Sequence, residues 1–129
     1  MNTAPPPRLS SVGAKILATY VEWHVILTRH VPKGLRYSLG IKIDSLFAEL
    51  VAGVSRAQFS PESERPMRLS EAIGINDTLK FMLYALFELK GIDERKFIAL
   101  SEKTEEAGRM LYGWKKKVES MRPPGKTHG

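Results

Sequence analysis

The chain has 129 residues, enough for one domain with a modest core, and its 43% hydrophobic and 26% charged residues are those of a soluble globular protein. It has no cysteine, which excludes disulfides, thiol catalysis and cysteine-ligated metals. No stretch reaches the ~20 apolar residues that span a bilayer, and the start MNTAPPPRLSSVG lacks the apolar run of a secretory signal, so a cytoplasmic protein without membrane contact is expected. Twenty Lys and Arg against fourteen Asp and Glu leave a net charge of +6, of which residues 115–129 alone hold five basic groups and one acid. That asymmetry points to a polyanionic partner or to a solubilising tail.

In chain order, residues 1–9 with their PPP run read as a loose tail. A first helix follows from about Ser10 to Thr28, with Ile16, Tyr20, Trp23 and Leu27 on one face. The breaker-rich stretch His30–Gly34 turns the chain into a second helix carrying Leu39, Ile43, Leu46, Leu50, Gly53 and Ala57. Ser60-Pro61 through Pro66 break it again. The third helix carries Leu69, Ala72, Asn76, Leu79, Leu83 and Leu86, and Lys90-Gly91 closes it with a left-handed glycine. Asp93 caps the fourth helix, with Ile92 and Phe97 placed as a hydrophobic staple. Its stripe is Phe97, Leu100, Thr104, Ala107, Leu111, Trp114, Val118 and Met121; residues 122–129 form a basic, flexible tail. Strand signals are absent. Short connections make neighbours antiparallel, so residues 10–121 are expected to form an all-α, up-down-up-down four-helix bundle.

Two helices carry more apolar surface than one core needs. Between Leu79 and Leu89 only Lys80 and Glu88 are charged, and Tyr20–Leu27 is similar. A helix without a polar face must be covered on all sides, and a second subunit is the natural cover. Trp23, Phe81, Tyr84 and Phe87 are therefore the expected contacts of a homo-oligomer. Small residues at Ala48, Ala52, Gly53, Gly108 and Gly113 would let helices approach closely.

Catalytic constellations are missing. A di-metal carboxylate bundle needs Glu-x-x-His on two helices, and none occurs; Glu22 and His24, two apart, cannot share a helix face. His30 lies at a turn and His128 in the tail. Gly34 and Gly40 have the wrong spacing for a phosphate loop. No enzyme activity, metal or cofactor is expected.

What remains is the placement of cations. Arg29, Lys33 and Arg36 cluster at the first turn, where a helix N-terminus already carries positive charge, so either an outside anion sits there or the turn is simply solvated. Arg65 and Arg68 cluster at the opposite end beside Glu62 and Glu64, where internal pairing is expected. Arg109 follows Glu105 by four, a favourable helix pair. Lys115, Lys116 and Lys117 surround the end of the fourth helix and suit its negative dipole. In an antiparallel bundle the lysine end and the Arg29–Arg36 end are opposite poles.

The run Val31-Pro32-Lys33-x-x-Arg36-Tyr37-x-Leu39-Gly40, the "ELKGI" that ends the third helix, and "LSEKTEEAGRMLYGWKK" together resemble a bacterial four-helix-bundle family. Its members are proteins encoded in intervening sequences of large-subunit ribosomal RNA genes and the accessory protein (Avd) of diversity-generating retroelements. The resemblance covers about residues 10–121. It implies a homopentameric ring, binding to nucleic acid, DNA or RNA, and in the retroelement branch to a reverse transcriptase. Lys33, Arg36 and Tyr37 match the turn motif, and Arg109, Gly113 and Trp114 match the fourth-helix motif. Leu35 departs from it, since members often carry an acid beside the Arg, and this leaves the turn more basic. Two functions are thus expected in competition: a non-catalytic accessory protein binding phosphates through Arg29, Lys33, Arg36, Arg109 and Lys115–Lys117, or a scaffold that docks a partner protein without touching nucleic acid.

Overall fold

The structure is a computed structural model that describes residues 9–121. The tails expected over residues 1–8 and 122–129 lie outside the described residues. Helix α1 spans Ser11–Arg29, and its start is fixed by Ser10, whose hydroxyl accepts a hydrogen bond from Gly13 N. The second rod is composite. A single turn, α2 (Lys33–Leu35), runs through a π-helical turn at Arg36–Gly40 into α3 (Ile41–Phe59). Helix α4 covers Arg65–Glu88 and α5 covers Glu94–Ser120. The rods pack in a square: α1 against α3, α3 against α4, α4 against α5, and α5 back on α1.

The expected stripes are the core. Ile16, Trp23, Ile43, Phe47, Leu50, Leu69, Leu79, Leu83, Leu86, Leu100 and Leu111 are fully buried. Of the positions assigned inward, only Met121 at the fraying end of α5 is exposed. Gly53 packs within the protomer on α4, where an added Cβ would stand 3.7 Å from Ile75 Cδ1, and Gly108 lies against Asn76.

Four local details differ from the sequence reading. Pro66 does not break α4; it sits in the first helical turn, where a missing N–H costs nothing. Lys33 and Gly34 are already helical. The π-turn inserts an extra residue, leaving Leu35, Leu39 and Gly40 inward and Tyr37 and Ser38 outward. Gly40 is needed there, since a Cβ would lie 2.7 Å from Leu27 Cδ1 and 3.0 Å from Leu35 O. Lastly, the left-handed residue closing α4 is Lys90, with φ of 63°, not Gly91. Gly91 N donates to Leu86 O at 2.8 Å and Lys90 N to Phe87 O at 2.9 Å, the pair of bonds of a Schellman end. Gly91 is glycine because a Cβ would run into the Leu86 side chain and stand 3.1 Å from Leu35 Cδ1.

A candidate nucleic-acid interface at one pole

The close approach of Gly91 to Leu35 shows that the α1–α2 turn and the α4–α5 turn lie side by side. They form one pole of the bundle. Residues 29–36 and 88–96 bring to it six cations, Arg29, Lys33, Arg36, Lys90, Arg95 and Lys96, against three acids, Glu88, Asp93 and Glu94. Half of the chain's net charge is therefore gathered at this end. Sequence reasoning found the first three cations and missed the others, because the two turns are more than fifty residues apart.

The cations at the pole do different work. Arg36 ties the turn shut, donating from Nε and Nη2 to Val31 O at 3.3 and 3.1 Å. Its guanidinium is half-buried and has a structural task. Lys96 reaches Asp93 at 2.9 Å, and this contact, with the Lys96 backbone N–H, holds the Asp93 carboxyl below its usual range. Arg29, Lys33, Lys90 and Arg95 make no ion pair with any described residue. Tyr37, 62% exposed, projects beside them, so not every aromatic is absorbed by the bundle.

Between the two turns opens a cleft of about 730 Å³. His30 and Pro32 line it from the first turn, and Phe87, Glu88, Lys90 and Lys96 from the second.

At the far pole the picture differs. Lys115 pairs with Glu119 at 3.5 Å and Lys116 lies 5.8 Å over the Tyr112 ring. Of the three lysines, Lys117 has no such contact among the described residues. Arg65 is threaded into the C-terminus of α3, donating to Ala57 O, Gln58 O and Ser60 O, a use of a cation that the helix dipole favours. Arg68 meets Glu64 and Glu71. Glu105 crosses to Lys80 on α4 at 2.8 Å, and this contact holds the Glu105 carboxyl down and the Lys80 amine up. Arg109, one turn along α5, adds a smaller Coulombic pull on Glu105 but makes no ion pair within contact distance among the described residues.

The residues expected at a subunit contact separate in the same way. Trp23 is fully buried inside the protomer, with Nε1 donating to Asp44 at 3.2 Å, so it belongs to the core and not to an interface. Phe87 is half-buried and stacks on Phe97, ring centres 4.7 Å apart. Phe81, 77% exposed, and Tyr84, half exposed, remain available. A larger uncovered face, not singled out by the sequence, runs along α1. Its exposed residues from Ser11 to Thr28, including Ala14, Leu17, Ala18, Val21 and Val25, contain no Asp, Glu, Lys or Arg. The stripe Ile16, Tyr20, Trp23 and Leu27 faces inward, and that register turns Val21 and Val25 outward.

Among the described residues no cluster of His, Asp and Glu could hold a metal ion, and no helix is long and apolar enough to cross a membrane.

No family model matches the sequence, and no curated protein matches it. Among solved structures, the crystal structure of a protein of unknown function from the S23 ribosomal protein family of Bacteroides thetaiotaomicron is similar in fold. The TM-score is 0.74 over 81% of this chain and 95% of that chain, at 16% identity. At that identity the likeness shows the fold, and it is the fold that the intervening-sequence resemblance implies.

Proposed function

We propose that this protein is a non-catalytic, oligomeric accessory protein that binds nucleic acid through its phosphates at the pole formed by the α1–α2 and α4–α5 turns. The observation that carries the proposal is the group of four cations there, Arg29, Lys33, Lys90 and Arg95, which make no ion pair with any described residue. Cations held near one another repel, and a phosphate backbone relieves that repulsion while releasing its own counterions. The uncharged outer face of α1 supports assembly with further copies, since monomers seldom leave such a face bare. In a ring, the pole of each subunit would lie beside its neighbour's and the local charge would multiply. The pentamer and a reverse-transcriptase partner come from the family resemblance, and the gene neighbourhood decides the second.

The same α1 face favours the alternative reading, a scaffold that docks a protein. One sample separates the two. Fluorescence anisotropy with unrelated duplex DNA, single-stranded DNA and RNA at low salt, paired with light scattering, is expected to show binding to all three by an assembly several times the 14.5 kDa chain. A multimer that binds none of them would support the scaffold.

A further inference from the structure

The cleft between the two turns has walls and chemistry that phosphate neutralisation leaves unused. We propose that it seats one unpaired nucleotide, the base against Phe87 and the phosphate on Lys90, so that the pole prefers a single strand or an overhanging end to a blunt duplex. The inference rests on the nucleic-acid reading and adds a base to its phosphates. At about 730 Å³ the cleft is of the size that small-molecule sites have, roughly 300–1,000 Å³. Phe87 is held by its stack on Phe97, with ring planes 10° apart, so it offers a fixed wall with little ordering left to do on binding. Stacking one base on such a ring strengthens binding roughly 5- to 150-fold.

The charges sort a nucleotide's two ends. Lys96 and Asp93 already hold each other, which leaves one cation and one carboxylate in the cleft without an ion pair, Lys90 and Glu88. Lys90 takes the phosphate. Glu88 would repel it, but a carboxylate accepts N–H donors, and it therefore belongs to the base edge. Guanine alone offers two adjacent donors there, N1–H and the N2 amino group, and fits the two oxygens of one carboxylate. The cleft accordingly favours guanine.

The test is competition of GMP, AMP, CMP and UMP against a fluorescent single strand ending in G, alongside direct binding of that strand and of a blunt duplex. GMP is expected to compete at least 5-fold better than UMP, and the single strand to bind more tightly than the duplex. Lys90→Gly should weaken all four nucleotides while relieving the left-handed backbone, so loss of folding does not confuse the result. Glu88→Gln should bring the GMP-to-UMP ratio close to one even though it makes the pole more positive. Equal competition by all four nucleotides, or by inorganic phosphate as well as by GMP, would overturn the base seat. Duplex bound as tightly as single strand sinks the cleft alone; no binding to either sinks the nucleic-acid reading with it.

Discussion

Asp44 sits at the α1–α3 seam and takes hydrogen bonds from Trp23 Nε1 at 3.2 Å and from the Tyr20 hydroxyl at 3.3 Å, with His24 Nδ1 3.6 Å away. Tyr20 and Trp23 both stack on Phe47, so one carboxylate and one ring hold two aromatic neighbours in place. Burial pushes the Tyr20 phenol up from its usual value, and the Asp44 charge and hydrogen bond push it further. A group whose folded value is raised gives stability that is complete below its unfolded value, near pH 10, and is lost as pH rises through the folded one. Wild type should therefore lose more of its urea midpoint between pH 9 and pH 11 than Tyr20→Phe does, although the variant begins about 1 kcal/mol less stable at pH 7. Lys80, raised chiefly by its bond to Glu105, loses its share in the same range in both proteins, and the comparison isolates Tyr20. Equal losses would show that the Tyr20–Asp44 contact is not maintained in solution. The sequence held half of this. Helical spacing put Tyr20 and Trp23 on one stripe, but nothing in it said that Asp44 would meet them. Without a partner for its indole N–H, Trp23 read equally well as an interface residue.

Between elements, the seam of α4 and α5 carries two polar residues in its apolar core, Asn76 and Thr104, and the Thr104 hydroxyl is satisfied by its own helix through Leu100 O and Ser101 O. Asn76 is fully buried; Nδ2 donates to Thr104 O at 3.0 Å, while Oδ1 has no partner among the described residues. A buried acceptor left without a partner forfeits its hydration, which costs about 1–3 kcal/mol. Replacing it with Leu, close to it in volume, should leave stability unchanged or raise it by up to about 2 kcal/mol in chemical denaturation. A loss greater than that would mean Oδ1 is satisfied in solution, by a buried water for instance. The element level was the most legible from sequence. Apolar spacing, the Asp93 cap and the Ser60-Pro61 break placed four rods with their faces correct, because the 3.6-residue period is local information. The π-turn and the left-handed Lys90 were not legible. Both answer tertiary packing, Gly40 against Leu27 and Gly91 against Leu35, and packing across the bundle has no local signature.

At the scale of the molecule, charge is distributed by topology more than by sequence blocks. The densest run, Lys115–Lys117, is partly neutralised by Glu119 and has Lys116 resting over the Tyr112 ring, while cations drawn from two distant turns gather with few partners at the other end. The Arg29–Arg36 cluster was visible as four cationic or ionisable side chains in eight residues, but Lys90 and Arg95 joined it only through the up-down-up-down order of the rods. The central claim is that this pole, and not the lysine-rich one, carries phosphate binding. The direct test is a salt titration of binding to a random duplex by wild type, by Arg29→Ala/Lys33→Ala/Lys90→Gly, and by Lys115→Ala/Lys116→Ala/Lys117→Ala. Arg36 is left in place because it closes the turn on Val31. With each neutralised phosphate contributing about 0.9 to the slope of log affinity against log salt, the first variant should lose about 2–3 from that slope in each binding unit and the second at most about 1. A first variant with the wild-type slope, or a second that loses more than the first, would contradict the account.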